Sequence, residues 1–184
     1  MIQRFIQRVG EPPDMEVAPC ITVDDLVSTP RSGLLVAEGG MGKSTFLKDF
    51  ADRVGDKATF IKLAYFAQNQ QGLVSEIERV VEESASDRTL ILDGLDEALD
   101  LVGTICWRCK TLPDTVRVWI ASREYRQLAA VSAALKKLVR YRLLPFSEDD
   151  IRTRAKEEFL EVVAVESVLQ KHALWKICGN PQGC

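Results

Sequence analysis

The chain has 184 residues, 46% of them hydrophobic and 28% charged, with a formal net charge of -3 at pH 7. That size and balance suit one α/β domain with a full core and room for a small helical appendage. The mild acidity carries no electrostatic signal for nucleic acid or an anionic membrane, and no apolar run approaches the ~20 residues of a membrane span.

Arg4 and Arg8 interrupt the apolar residues of the first ten positions, which excludes a signal-peptide reading and places the protein in the cytoplasm. Five cysteines (Cys20, Cys106, Cys109, Cys178 and Cys184) make an odd count without framework spacing, an argument against secreted disulfides. Cys106-Trp107-Arg108-Cys109 is a Cys-x-x-Cys pair, but a tetrahedral zinc site needs two more ligands, and the only histidine is the distant His172. At helical spacing the two sulfurs lie on neighbouring faces of a helix, half buried.

Glu11-Pro12-Pro13-Asp14 and Thr29-Pro30-Arg31-Ser32-Gly33 are breakers, and they set residues 1–32 apart as an N-terminal extension. Within it, residues 21–27 are short enough to lie against the edge of the domain. From Gly33 onward strand and helix patterns alternate. Strand is predicted over 34–37, helix over 44–54 and strand over 58–64. The spacing of Leu73, Val74, Ile77, Val80 and Val81 predicts a helix over 73–83. Strands follow over 89–92, ending in Asp93, and over 116–121; a helix is predicted over 124–138 and a strand over 139–144. Near-continuous apolar strands alternating with helices predict a mainly parallel sheet covered on both faces, a three-layer α/β sandwich. After Pro145 the period changes: Ser147 reads as an N-cap, with Glu148, Asp149 and Asp150 in the first turn. Helical periodicity then runs over 151–163 and 166–177. The chain thus divides into the extension 1–32, an α/β core 33–145 and an incomplete helical subdomain 146–184.

Three motifs carry chemistry. The first is Ala37-Glu38-Gly39-Gly40-Met41-Gly42-Lys43-Ser44-Thr45, between a predicted strand and a predicted helix. Glycines at 39, 40 and 42 let the backbone curl so that its N–H groups approach phosphate oxygens. Lys43 supplies an ammonium for the β- and γ-phosphates and Ser44 a hydroxyl for Mg²⁺, while the helix that follows points its positive end at the same anion. Ala37 stands where the pattern has its first glycine. The bland alternative is a glycine-rich turn.

The second motif, Asp93-Gly94-Leu95-Asp96-Glu97, follows an apolar strand that delivers Asp93 to the end where parallel sheets bind ligands. A carboxylate there holds Mg²⁺ through its water shell, completing what Ser44 begins. Asp96 and Glu97 follow within reach of the phosphate end, where one of them orients or deprotonates an attacking water. Glu97 is favoured as the polariser with Asp96 in support, and spacing alone does not separate them. The third motif, Ile120-Ala121-Ser122-Arg123, brings Arg123 to the same edge, where a guanidinium forks onto a γ-phosphate.

Together these motifs resemble the NACHT family of signal-transduction NTPases, within the STAND class of P-loop ATPases. The spacing of Asp93-Gly94-Leu95-Asp96-Glu97 is the most specific part. Ile120-Ala121-Ser122-Arg123 is similar to the family's sensor-1 strand end, and Leu143-Leu144-Pro145-Phe146-Ser147 resembles its entry into the helical subdomain. Gly179-Asn180-Pro181 matches a Gly-x-Pro motif, which implies that Pro181 contacts adenine. The resemblance spans residues 33–181 and implies a P-loop core that binds ATP or ADP with Mg²⁺. It further implies slow hydrolysis and a conformational switch acting through protein partners or self-association, in defence or innate immunity. The family's apolar helix after Gly-x-Pro, its winged-helix and sensor domains and its effector domain do not follow or precede here. A fragment, a truncated remnant and a non-catalytic nucleotide-binding interaction module therefore stand beside the switch. A small-molecule kinase would need an acceptor pocket and an arginine-bearing lid, which residues 93–123 do not offer.

Overall fold

The computed structural model describes residues 5–9, 20–82, 87–124 and 138–145, with Leu128, Val131, Leu135, Arg152, Lys156, Ala164 and Ser167 individually. Both helices predicted after Pro145, the N-cap Ser147, most of the 124–138 helix and the segment Gly179-Asn180-Pro181 lie outside those residues.

Six strands form one sheet: β1 (Ile6–Arg8), β2 (Gly33–Val36), β3 (Ala58–Lys62), β4 (Arg88–Asp93), β5 (Val116–Ser122) and β6 (Val139–Leu143). Their spatial order is β1-β6-β2-β5-β4-β3. All pairings are parallel except that of β1, which runs antiparallel on β6. Among the described residues, the α-helices with defined bounds are α1 (Val23–Val27), α2 (Lys43–Val54), α3 (Gln70–Glu82) and α4 (Val102–Thr111).

Successive strand side chains point to opposite faces, and the sequence is apolar on both. Leu34, Val36, Leu90, Leu92, Val118 and Ile120 pack with Leu73, Ile77 and Val80 of α3 and Ile105 of α4. Leu35, Ile91, Trp119 and Ala121 pack instead with Val23 and Leu26 of α1 and Phe46, Leu47 and Phe50 of α2. Two cores on opposite faces of one mostly parallel sheet are compatible with a three-layer sandwich. Leu128, Val131 and Leu135, the apolar stripe of the helix predicted over 124–138, are buried in the first core. In the second, Trp119 stacks on Tyr141 at 5.2 Å between ring centroids and meets the edge of Phe50 at 5.4 Å.

The segment 1–32 contributes to this sheet. Ile6 is fully buried, pairs with Leu143 across β1 and β6, and forms a bridge with Ile21. α1 opens with a capping box, in which the Thr22 hydroxyl accepts the Asp25 N–H and the Asp25 carboxylate accepts the Thr22 N–H. Its far end is gathered by Arg117 of β5, whose Nη1 donates to the carbonyls of Leu26, Val27 and Thr29. The Arg117 Nε donates to the Thr89 hydroxyl. Asp24 of α1 also pairs with Arg53 of α2.

Some bounds differ from the sequence pattern. β3 ends at Lys62, and a 3-10 turn, Leu63–Phe66, takes over the residues read as its end. α3 starts at Gln70, ahead of its first apolar residue, because the Asn69 side chain accepts the Gly72 N–H there. α4 carries Cys106 and Cys109, both free thiols half buried against the first core. Cys20 is disulfide-bonded, which the odd cysteine count did not suggest. Among the described residues no helix is long and apolar enough to cross a membrane.

Candidate functional site

Val36 of β2 and Ser122 of β5 are partners in register, and Leu92 of β4 pairs with Ile120. The three predicted motifs therefore leave the sheet at the same edge, beyond the carboxyl ends of adjacent parallel strands. Ligands of open parallel sheets gather at such an edge.

The chain leaves β2 through Ala37, which is buried in the second core and donates its N–H to the Ser122 carbonyl at 3.3 Å. Gly40 and Gly42 then take φ values of 79° and 84°, in the left-handed region where a Cβ is unfavourable. Met41 packs partly against the second core and donates its N–H to the Glu38 carbonyl at 3.4 Å. Gly42 is the N-cap of α2 and offers no side chain to its first turn, so that turn's N–H groups face the loop. Ser44 and Thr45 lie exposed on this turn.

Lys43 turns back over the loop. Its Nζ donates to the carbonyls of Ala37 at 2.7 Å and Glu38 at 2.9 Å. Partial burial pulls its pKa below the usual lysine range and Arg123 adds to the effect, while Asp96, Asp93 and Glu38 oppose it. The groups acting on this ammonium thus come from all three motifs.

Asp93, at the end of β4, is 3% exposed. Gly94 follows with φ 83° and turns the chain into the 3-10 segment Leu95–Glu97, anchored by the fully buried Leu95. The two acids then part. Asp96 is largely buried and accepts the Arg123 backbone N–H at 2.9 Å through Oδ1 and the Arg123 Nε at 3.0 Å through Oδ2. Glu97 is exposed, its Oε2 lying 3.5 Å from where a Cβ on Gly94 would stand. Arg123 lies against the glycine loop: a Cβ on Gly39 would stand 3.2 Å from its Cζ.

Two residues passed over in the sequence stand at this edge. Lys62 is in register with Asp93, and its ammonium lies 5.5 Å from the ring centre of the exposed Tyr65. The signal for them was their position at the end of a strand of the same parallel set. Among the described residues no group of three or more His, Cys, Asp or Glu side chains is placed to hold a metal ion by itself. The structure brings together Ala37, Glu38, Gly39, Lys43, Asp93, Asp96 and Arg123, whereas Pro181 lies outside the described residues. No protein-family model matches the chain, and no curated protein matches it.

Proposed function

We propose that the chain is a P-loop NTPase module of the NACHT type, a cytoplasmic signalling switch that binds ATP or ADP with Mg²⁺ and hydrolyses ATP slowly. The observation that carries this reading is the convergence of three strand ends: Lys43 folds back on the loop after β2, Arg123 at the end of β5 lies against Gly39 of that loop, and Asp96 after β4 holds Arg123. A glycine loop opening directly into an uncapped twelve-residue helix supports it, since such a turn binds anions.

In this reading the loop N–H groups and Lys43 hold the β- and γ-phosphates, after Lys43 exchanges the carbonyls of Ala37 and Glu38 for phosphate oxygens. The Ser44 hydroxyl and Asp93 carboxylate are oxygen donors that suit a hard cation keeping several waters. Bound there, Mg²⁺ supplies neutralisation of the phosphate charge. A water attacks the γ-phosphorus, the bond to the β,γ-bridging oxygen breaks, and ADP and phosphate leave. Glu97 takes the water's proton, and Arg123 steadies charge on the transferred group.

Titration of the purified chain with ATP and ADP, with and without magnesium, tests the binding claim, and phosphate release tests turnover. A folded protein that binds neither nucleotide ends this reading. The exposure of Glu97 favours a second one, a nucleotide-dependent interaction module without turnover, because phosphoryl transfer gains from excluding bulk water. Binding without phosphate release selects it.

A further inference from the structure

We infer that Asp96 is a positioning residue for Arg123 and takes no proton from the attacking water. The inference rests on the nucleotide-binding reading above and deepens it. Sequence treats Asp96 and Glu97 as interchangeable acids, but the fold gives them different surroundings. Both Asp96 carboxylate oxygens are engaged by one residue: Oδ1 by the Arg123 backbone N–H at 2.9 Å and Oδ2 by its Nε at 3.0 Å. Two donors from one partner, one on each oxygen, hold the carboxylate against Arg123.

The consequence lies on the arginine. Its side chain is 55% exposed and would otherwise sample many rotamers. Asp96 takes the Nε and the adjoining main chain, which orients the guanidinium and leaves its terminal nitrogens for another acceptor. Nη1 is held beside the glycine loop, 3.4 Å from the Cβ position of Gly39. A guanidinium on the loop that cradles phosphates is placed to read the terminal phosphate, the group that separates ATP from ADP. Asp96 thus joins the turn after β4 to the end of β5 and sets the preference between the two nucleotides through Arg123.

The test is a double-mutant cycle read on binding. Dissociation constants for ATP and ADP, both with magnesium, are measured by calorimetry for the parent chain, Asp96→Asn, Arg123→Ala, the double variant and Asp100→Asn. Arg123→Ala should lower ATP affinity relative to ADP by about tenfold, the scale of one charge-assisted hydrogen bond to phosphate. Asp96→Asn presents an amide to the Nε–H and should lower the ratio to within about threefold of that value, with the double variant no lower, as coupled residues require. Asp100→Asn, at an exposed acid outside the site, should leave the ratio unchanged. Losses that add in the double variant, an unchanged ratio in Asp96→Asn, or an unchanged ratio in Arg123→Ala each overturn the inference while leaving nucleotide binding intact. A parent chain that binds neither nucleotide overturns both together. Should Asp96→Asn fail to fold, Arg123→Lys carries the test, because it keeps the cation and removes the Nε donor. Its ratio should fall like that of Arg123→Ala, and a parent-like ratio overturns the inference.

Discussion

Gly33 lies directly beneath Trp119: a Cβ at that glycine would stand 2.5 Å from the indole ring. The two are register partners on β2 and β5, and the fully buried ring also stacks on Tyr141 of the next strand. The glycine that ends the breaker run is therefore required by close packing. Gly33→Ala should destabilise the domain by about 1–3 kcal/mol, the usual cost of overpacking a filled core. Urea denaturation followed by circular dichroism measures it. Adding Trp119→Phe should recover part of the loss, and equal losses in either background would disconnect the pair.

Lys43→Ala should leave the fold intact, because its ammonium bonds only to two loop carbonyls. Nucleotide affinity should fall by about a hundredfold or more, since phosphate charge would lose its ammonium partner. Parent-like binding of labelled ATP in this variant would remove the loop from the site.

Glu97→Gln should retain ATP while slowing hydrolysis by about 10²-fold or more, the range of general-base catalysis. The amide cannot accept the water's proton. Exposure of Glu97 predicts little change in melting temperature, which separates a catalytic loss from a structural one. Parent-rate phosphate release would exclude Glu97 as the base.

Arg117→Ala should loosen α1 from the sheet, because three carbonyls and the Thr89 hydroxyl lose one donor together. Four hydrogen bonds from a half-buried cation, three of them sharing one nitrogen, correspond to about 2–4 kcal/mol after allowance for solvent. Amide exchange over 21–29 should accelerate more than exchange in β4 and β5. Uniform acceleration would mean that Arg117 supports the whole sheet and not α1 in particular.

The two free thiols should react unequally. Burial pushes the Cys109 thiol up to about 12, with the neighbouring Cys106 adding to the rise. Burial raises Cys106 as well, but Lys110 opposes it. Because the thiolate is the reactive form, a maleimide at pH 8 should modify Cys106 first, and Cys109 labelling should climb as pH rises toward 12. Peptide mapping by mass spectrometry reads both sites, and equal labelling at pH 8 would contradict this burial.

The alternation of apolar strands with helices was legible in the residues themselves, as were the three segments that leave β2, β4 and β5 at one edge. Period-two and 3.6-residue patterns report burial directly, and a loop such as residues 37–45 needs particular residue types in a fixed local order. β1 was not legible, since a three-residue strand has no period to read and exists only because β6 offers an edge. α4 was legible only in the helical spacing of Cys106 and Cys109, its bounds being obscured by a mixed Gly, Cys and Trp composition, and α1 was obscured by its length of one turn. Nor does spacing show that Arg117 gathers the end of α1, because that contact joins segments far apart along the chain. The division between Asp96 and Glu97 belongs to the tertiary structure for the same reason. Neighbouring acids look equivalent along a chain, and only the order of strands brings Arg123 within 3.0 Å of one while leaving the other exposed to water.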